Sequence, residues 1–286
     1  KYIWHPKRMP VAQINTSRGC PAQCVFCCSR FLAGGKWRGK SADRVLQEME
    51  ILVTRHGIRE FKFDEDNFTL DRQRIVDMCE GIIARGWDIS WMTPVIAVYA
   101  IDEDLLALMQ RAGCYRVCLA VESGSDRVLK EVIHKPLSLA QLYEAMRIVR
   151  KLGLESNATF VIGTPGETRQ EIRRTVGFAE ELETDFLTFC VAIPYPGTPL
   201  LEICKKNGYL TRGFDLDMLT AGHGFIETPE FTPYELEIIR RVEWLRLVLG
   251  TEKKRARVAA PSGLSTLVVD RWLTATRHDI KRLLAH

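Results

Sequence analysis

Six short runs rich in β-branched and aromatic residues recur along the chain, each separated from the next by room for a helix. They are "VAQINT" (11–16), "EFKFD" (60–64), "WMTPVIAV" (91–98), "YRVCLAV" (115–121), "SNATFVI" (156–162) and "FLTFCVAI" (186–193). The intervals carry amphipathic helices with their own start and stop signals. One opens at Ser41 and stops at Gly57, and another opens at Asp102 and stops at Gly113. Two more begin with capping boxes, Ser138 with Gln141 and Thr168 with Glu171, where the hydroxyl and the longer side chain satisfy each other's backbone N–H. Strands alternating with helices fold as right-handed βαβ units, and such units force a parallel sheet. A closed barrel needs about eight units. Six units within residues 1–200 predict a partial, open (β/α)6 TIM-like barrel, followed by a helical extension over 201–286. That extension contains a well-marked helix from Thr232 to Gly250 and a last one at 264–285.

With 286 residues and 46% hydrophobic content, the chain can bury a sizeable core. A formal charge of +4 on this length gives little support for nucleic acid as a partner. The basic run "KKRAR" (253–257) reads as a solvated helix end. No apolar run approaches the roughly 18–20 residues of a spanning helix, and "KYIWHPKRMP" has no signal-peptide core. The expectation is a cytoplasmic protein whose thiols stay reduced. Nine cysteines, an odd number, also argue against a disulfide framework.

Four of the nine lie in "RGCPAQCVFCC", just past the first predicted strand. Functional groups of β/α proteins collect at the carboxyl ends of strands. Cys20, Cys24 and Cys27 are spaced C-x3-C-x2-C, with Cys28 directly after. A closed structural zinc site wants four ligands, and no second Cys or His pair follows. A thioredoxin-like pair of Cys24 and Cys27 leaves Cys20 unused. An iron–sulfur cluster fits better, because thiolates are its ligands and a close-spaced loop can wrap it. Three ligands on four irons leave one iron open to bind something else. Cys28 reads as a small apolar packing residue outside the ligand set.

C-x3-C-x2-C after a first strand, with Phe26 before the last cysteine, resembles the signature of radical S-adenosylmethionine (radical SAM) enzymes. The resemblance continues to about residue 200. "FDEDNFT" (63–69) resembles the segment placed beside the methionine amino group, which implicates Glu65 and Asp66. "VESGSD" (121–126) resembles the segment reaching the ribose or carboxylate, through Glu122 and Ser123. "VIGTPGET" (161–168), with Gly163 and Gly166, and "IPYPGTPL" (193–200), with Pro194, resemble adenine-side segments. Acceptors suit an ammonium and a ribose diol, and glycines admit a flat base.

The resemblance implies a 4Fe-4S cluster on three cysteines and SAM as cofactors. It further implies reductive cleavage of SAM to a 5′-deoxyadenosyl radical, which abstracts hydrogen from a substrate. The wording is most similar to the branch of cobalamin-binding methylases and the anaerobic magnesium-protoporphyrin cyclase. Methylation or ring formation on a small molecule is therefore implied, with a flavodoxin or ferredoxin-type electron donor. Cobalamin enters only if another domain or a partner supplies it. Methylthiotransferases of tRNA or protein are similar too, and a non-catalytic iron–sulfur redox or sensor protein is an alternative. No side chain is assigned as a catalytic acid, base or nucleophile. Cys79, Cys114 and Cys118 fall on apolar faces and read as core, while Trp37, Trp91 and Tyr195 fit a pocket wall or the core equally.

Overall fold

A computed structural model describes residues 6–220 and 222–249. The predicted last helix at 264–285 and the basic run at 253–257 lie outside the described residues. β1 (Val11–Ile14) leads into a two-stranded ribbon, β2 (Ser17–Arg18) with β3 (Arg38–Gly39), which brackets the short helix α1 (Ser29–Ala33). Then come α2 (Ala42–His56), β4 (Glu60–Phe63), α3 (Arg72–Ala84), β5 (Ser90–Ile96) and α4 (Glu103–Arg111). β6 (Cys114–Glu122), α5 (Leu139–Lys151), β7 (Glu155–Ile162), α6 (Arg169–Glu181) and β8 (Phe186–Val191) follow. α7 (Pro199–Asn207) and α8 (Pro233–Leu249) come last.

All six predicted strands are present and form one parallel sheet, in the order β1-β4-β5-β6-β7-β8. Spatial order follows chain order, as successive crossovers of one hand produce. β1 and β8 are the outer strands and do not pair with each other, so the sheet is a partial (β/α)6 barrel.

The helix signals act as read. The Ser41 hydroxyl accepts from the Arg44 N–H at 3.2 Å, and Gly57 ends α2 in the left-handed region. Both capping boxes form. α3 has no clear periodic stripe in the sequence, because Gly81 interrupts it and Arg74 sits on its buried face. A Cβ at Gly81 would lie 2.3 Å from the Leu46 Cδ1, so the glycine lets α3 pack closely on α2.

Helices and sheet share one core. Phe63, Phe68 and Trp91 are fully buried with ring centroids 4.9–6.0 Å apart. The Trp91 indole donates to the Ala112 carbonyl at 2.8 Å, so this tryptophan is core and not pocket wall. Cys79, Cys114 and Cys118 are buried, and burial pushes the Cys79 thiol up to about 12. Along β7 the row Ala158, Phe160 and Ile162 is fully buried, while Glu155, Asn157, Thr159 and Val161 on the other face are half-buried. The concave side is therefore not packed shut as a closed barrel's interior is.

α8 belongs to this core. A capping box opens it, with Thr232 and Glu235 bonded in both directions. Leu236 is fully buried. Arg240 Nε donates to the Phe189 carbonyl at 2.9 Å and Trp244 Nε1 to the Leu187 carbonyl at 3.0 Å. Two carbonyls of β8, the outer strand, are thereby satisfied, and an open sheet edge is covered. No helix among the described residues is long and apolar enough to cross a membrane.

Candidate active site

The loop after β1 is fixed by the segment after β4, one side chain at a time. The Asp64 carboxylate takes the Gln13 amide and the Asp64 carbonyl takes the Asn15 amide. Glu65 accepts from the Thr16 N–H at 2.8 Å and from the Thr16 and Ser17 hydroxyls. Asp66 accepts from the Gly19 N–H at 2.7 Å. Asn67 Nδ2 lies 3.6 Å from Cys20 Sγ. Gly19 has φ +88° and a Cβ there would stand 2.1 Å from the Lys36 carbonyl oxygen, so only glycine fits. Further on, Val25 is clamped on both sides: its N–H donates to the Ile133 carbonyl at 3.1 Å, and its carbonyl accepts from the Leu200 N–H at 2.9 Å.

This bracing turns Cys20, Cys24 and Cys27 to one cleft, open to solvent. All nine cysteines are free thiols. Burial pushes Cys24 up to about 11 and raises Cys27 as well. Among the described residues no group of three His, Cys, Asp or Glu side chains is gathered closely enough for a single metal ion. A four-iron cube places each thiolate on a different iron and so spreads its ligands wider. The donor set, three thiols on one cleft, fits that cube. Two buried polar atoms beside them, Ser29 Oγ and Asn67 Oδ1, have no protein partner. Cys28 precedes α1 at its N-cap and does not line the cleft.

Asp66 and Glu122 also line the cleft. Glu122 holds φ +68°, rare for a side chain of its size, and pairs with Lys135 at 2.7 Å, both nearly buried. Burial lowers the Lys135 pKa, but the Glu122 charge and hydrogen bond, with Cys24 and Tyr99, together outweigh it and the net shift is upward, so the ammonium stays charged. Sequence reading missed Lys135. The signal was weak, one lysine in a loop 13 residues after Glu122. Asn67 and Tyr99 line the cleft as well and were not singled out.

The other predicted residues stand behind the cleft. The Glu65 side chain is fully buried and spent on Thr16 and Ser17, with the Arg74 guanidinium 3.7 Å away. Ser123 is fully buried against Thr175 at 3.1 Å. Pro194 is buried and off the cleft. Gly163 (φ +85°) and Gly166 (φ +97°) shape the turn after β7, and a Cβ at Gly163 would meet Leu236 at 2.3 Å. That turn closes on Glu167, whose Oε2 accepts from the Gly163 and Thr164 N–H groups. Trp37 is half-buried and donates to the Asn67 carbonyl at 3.0 Å, and burial raises the pKa of half-buried Tyr195.

Two predictions arise here. Glu65→Ala should destabilise the chain by about 3–5 kcal/mol, because it strips a buried arginine of its counter-charge and orphans three donors. Urea denaturation measures this, and a loss under about 1 kcal/mol would contradict the bracing role. Burial raises Glu167 from 4.5 to about 8. Between those values the native state holds a proton that the unfolded chain lacks. Stability should therefore fall as pH rises through that window and level off above it. In Glu167→Gln this component of the pH dependence should vanish. An unchanged pH–stability slope would remove the assignment.

The profile of the Radical SAM superfamily matches residues 14–179, which include the thiol loop, the acidic brace and the Glu122 segment. The chain belongs to the radical SAM superfamily. Members use a 4Fe-4S cluster and S-adenosylmethionine. An uncharacterized methyltransferase of Pyrococcus horikoshii is 41% identical over 202 residues, 71% of this chain and 44% of that protein. Cytidylyl-2-hydroxyethylphosphonate methyltransferase of Streptomyces wedmorensis is 35% identical over 226 residues, 77% of this chain and 42% of that protein. The chain thus spans less than half the length of these two relatives. A radical SAM methyltransferase from Kitasatospora setae, solved with tryptophan and a SAM analogue, shares the fold with a TM-score of 0.69. It is 19% identical and covers 83% of this chain and 52% of that one.

Proposed function

We propose that this chain is the SAM-cleaving core of a radical methyltransferase acting on a small molecule. One observation carries the reading: three free thiols from one braced loop share a cleft with a buried carboxylate–ammonium pair. Cys20, Cys24 and Cys27 hold the cluster. When bound, the cluster supplies the electron that breaks a sulfonium C–S bond. Lys135 offers a cation to the methionine carboxylate, while Glu122 and Asp66 offer acceptors to its ammonium, so the cleft matches an amino-acid zwitterion. The cleft is half-sheltered by Phe26, Ile96 and Tyr99, which limits water around the reacting bond. The half-buried inner row of β7, with Asn157 and Thr159, gives a polar approach for substrate along the concave face.

Methyl transfer is favoured because both relatives above are named methyltransferases and are more than 30% identical. Cobalamin, where used, is supplied from outside the described residues. The test is spectroscopic. Anaerobically reconstituted, reduced protein should show an electron paramagnetic resonance signal that shifts when SAM is added. A signal indifferent to saturating SAM would favour a non-catalytic redox protein.

A further inference from the structure

One residue beside the thiols carries a cost that bracing the loop does not explain. Asn67 follows Asp66 in the acidic segment and is only 3% exposed. It is fixed from both sides. Its backbone carbonyl accepts from the Trp37 indole at 3.0 Å, and the next residue, Phe68, is fully buried beside Phe63 and Trp91. Trp37 is held in turn. A Cβ on Gly39 would stand 2.4 Å from its ring, and the Arg74 guanidinium lies 5.3 Å from the ring centre. The Asn67 amide therefore has a set direction. Nδ2 lies 3.6 Å from Cys20 Sγ, and Oδ1 is buried with no protein partner.

An orphaned, buried carbonyl oxygen costs stability. A leucine would fill similar space without that cost. The amide is explained by its nitrogen, and the partner of that nitrogen is a predicted cluster ligand. A ligand thiolate accepts and does not donate, so the N–H side faces it. The other two thiols have different neighbours. Lys135 acts on Cys24 through its charge, and the Ser29 backbone N–H reaches Cys27. Reduction of an iron–sulfur cluster adds negative charge, and hydrogen bonds to its sulfurs help set the potential. A donor aimed at one sulfur binds the more negative, reduced form more tightly. We infer that Asn67 is a positioning residue that raises the cluster's reduction potential through Cys20. The inference rests on the reading that Cys20, Cys24 and Cys27 hold the cluster. A low-potential one-electron reductant loses an electron and the cluster gains it. No bond to Asn67 breaks and no proton moves.

The test is a redox titration of the cluster-loaded full chain with titanium(III) citrate, without SAM, followed by electron paramagnetic resonance. In Asn67→Leu the ratio of reduced to oxidised cluster at a given solution potential should fall about tenfold, a shift of about 59 mV for one electron. Asn67→Asp puts a carboxylate where the donor was and should fall further. A purely structural Asn67 would change iron content or denaturation midpoint and leave the potential alone. A ratio within about twofold of wild type in iron-replete Asn67→Leu overturns the inference. A second measurement needs no variant. In wild-type protein labelled with a heavy nitrogen isotope at asparagine, pulsed spectra of the reduced cluster should show coupling to that nitrogen, and its absence overturns the inference too. Because SAM is left out, the two readings fail separately. Intact SAM beside a cluster that titrates as expected would sink only the SAM-cleaving reading, and an unshifted potential in protein that cleaves SAM would sink only the role of Asn67.

Discussion

Replacing Cys24 with alanine, alone or together with Cys20 and Cys27, is expected to remove the cluster and all SAM cleavage. Cys24 sits next to Val25, whose N–H and carbonyl are both fixed by other segments, so the loop cannot easily bring a substitute thiol to its place. The nearest alternative in sequence, Cys28, is committed to the start of α1 and lies off the cleft. Reconstituted wild type should carry about four irons per chain, the single variants far fewer, and the triple variant almost none. Cys28→Ala should keep the wild-type iron content. Iron retained by the triple variant would show that the cluster is held elsewhere. Full retention by Cys24→Ala would mean that Cys28 can serve as a ligand.

Lys135→Met should be nearly as damaging, by a different route. It leaves the Glu122 carboxylate almost buried, without its partner, at a strained backbone position. Breaking such a pair costs about 3–5 kcal/mol. It also removes a nearly buried cation that lines the cleft close to Cys24. SAM affinity should drop by more than about tenfold, from loss of a charge-assisted bond worth roughly 1.5–3 kcal/mol. The double variant Glu122→Gln with Lys135→Met separates the two effects, because it restores much of the stability while leaving SAM affinity low. Equilibrium denaturation reads the first and SAM titration the second. Recovery of affinity in the double variant would contradict a direct role for the Lys135 charge.

The strands, most helix ends and the three thiols were legible because each is written locally. Alternation marks β7, hydroxyl caps mark α2, α5 and α6, and cysteine spacing marks the loop. What was not legible depends on contacts made at long range. α3 went unmarked because Gly81 and Arg74 spoil its stripe for reasons supplied by α2 and by Thr16. Lys135 has no local signature at all, since only folding brings it to Glu122. "FDEDNFT" was visible as an acidic segment, but its division of labour was not. Asp66 reaches the cleft while Glu65 turns away to hold Thr16 and Ser17, because successive side chains after a strand point in different directions. Of the residues in the segments resembling adenine-side and ribose-side elements, Gly163 and Gly166 take positive φ in the turn after β7, and Ser123 and Pro194 are buried.

Reductive cleavage of SAM at the three-thiol cleft is the proposed chemistry on which the rest depends. Cluster-loaded protein mixed anaerobically with SAM and excess titanium(III) citrate, followed by mass-spectrometric quantification, tests it most directly. 5′-Deoxyadenosine and methionine should form in equal amounts, well above those from the Cys20, Cys24 and Cys27 triple alanine variant. SAM recovered intact from protein whose cluster is demonstrably reduced would contradict it.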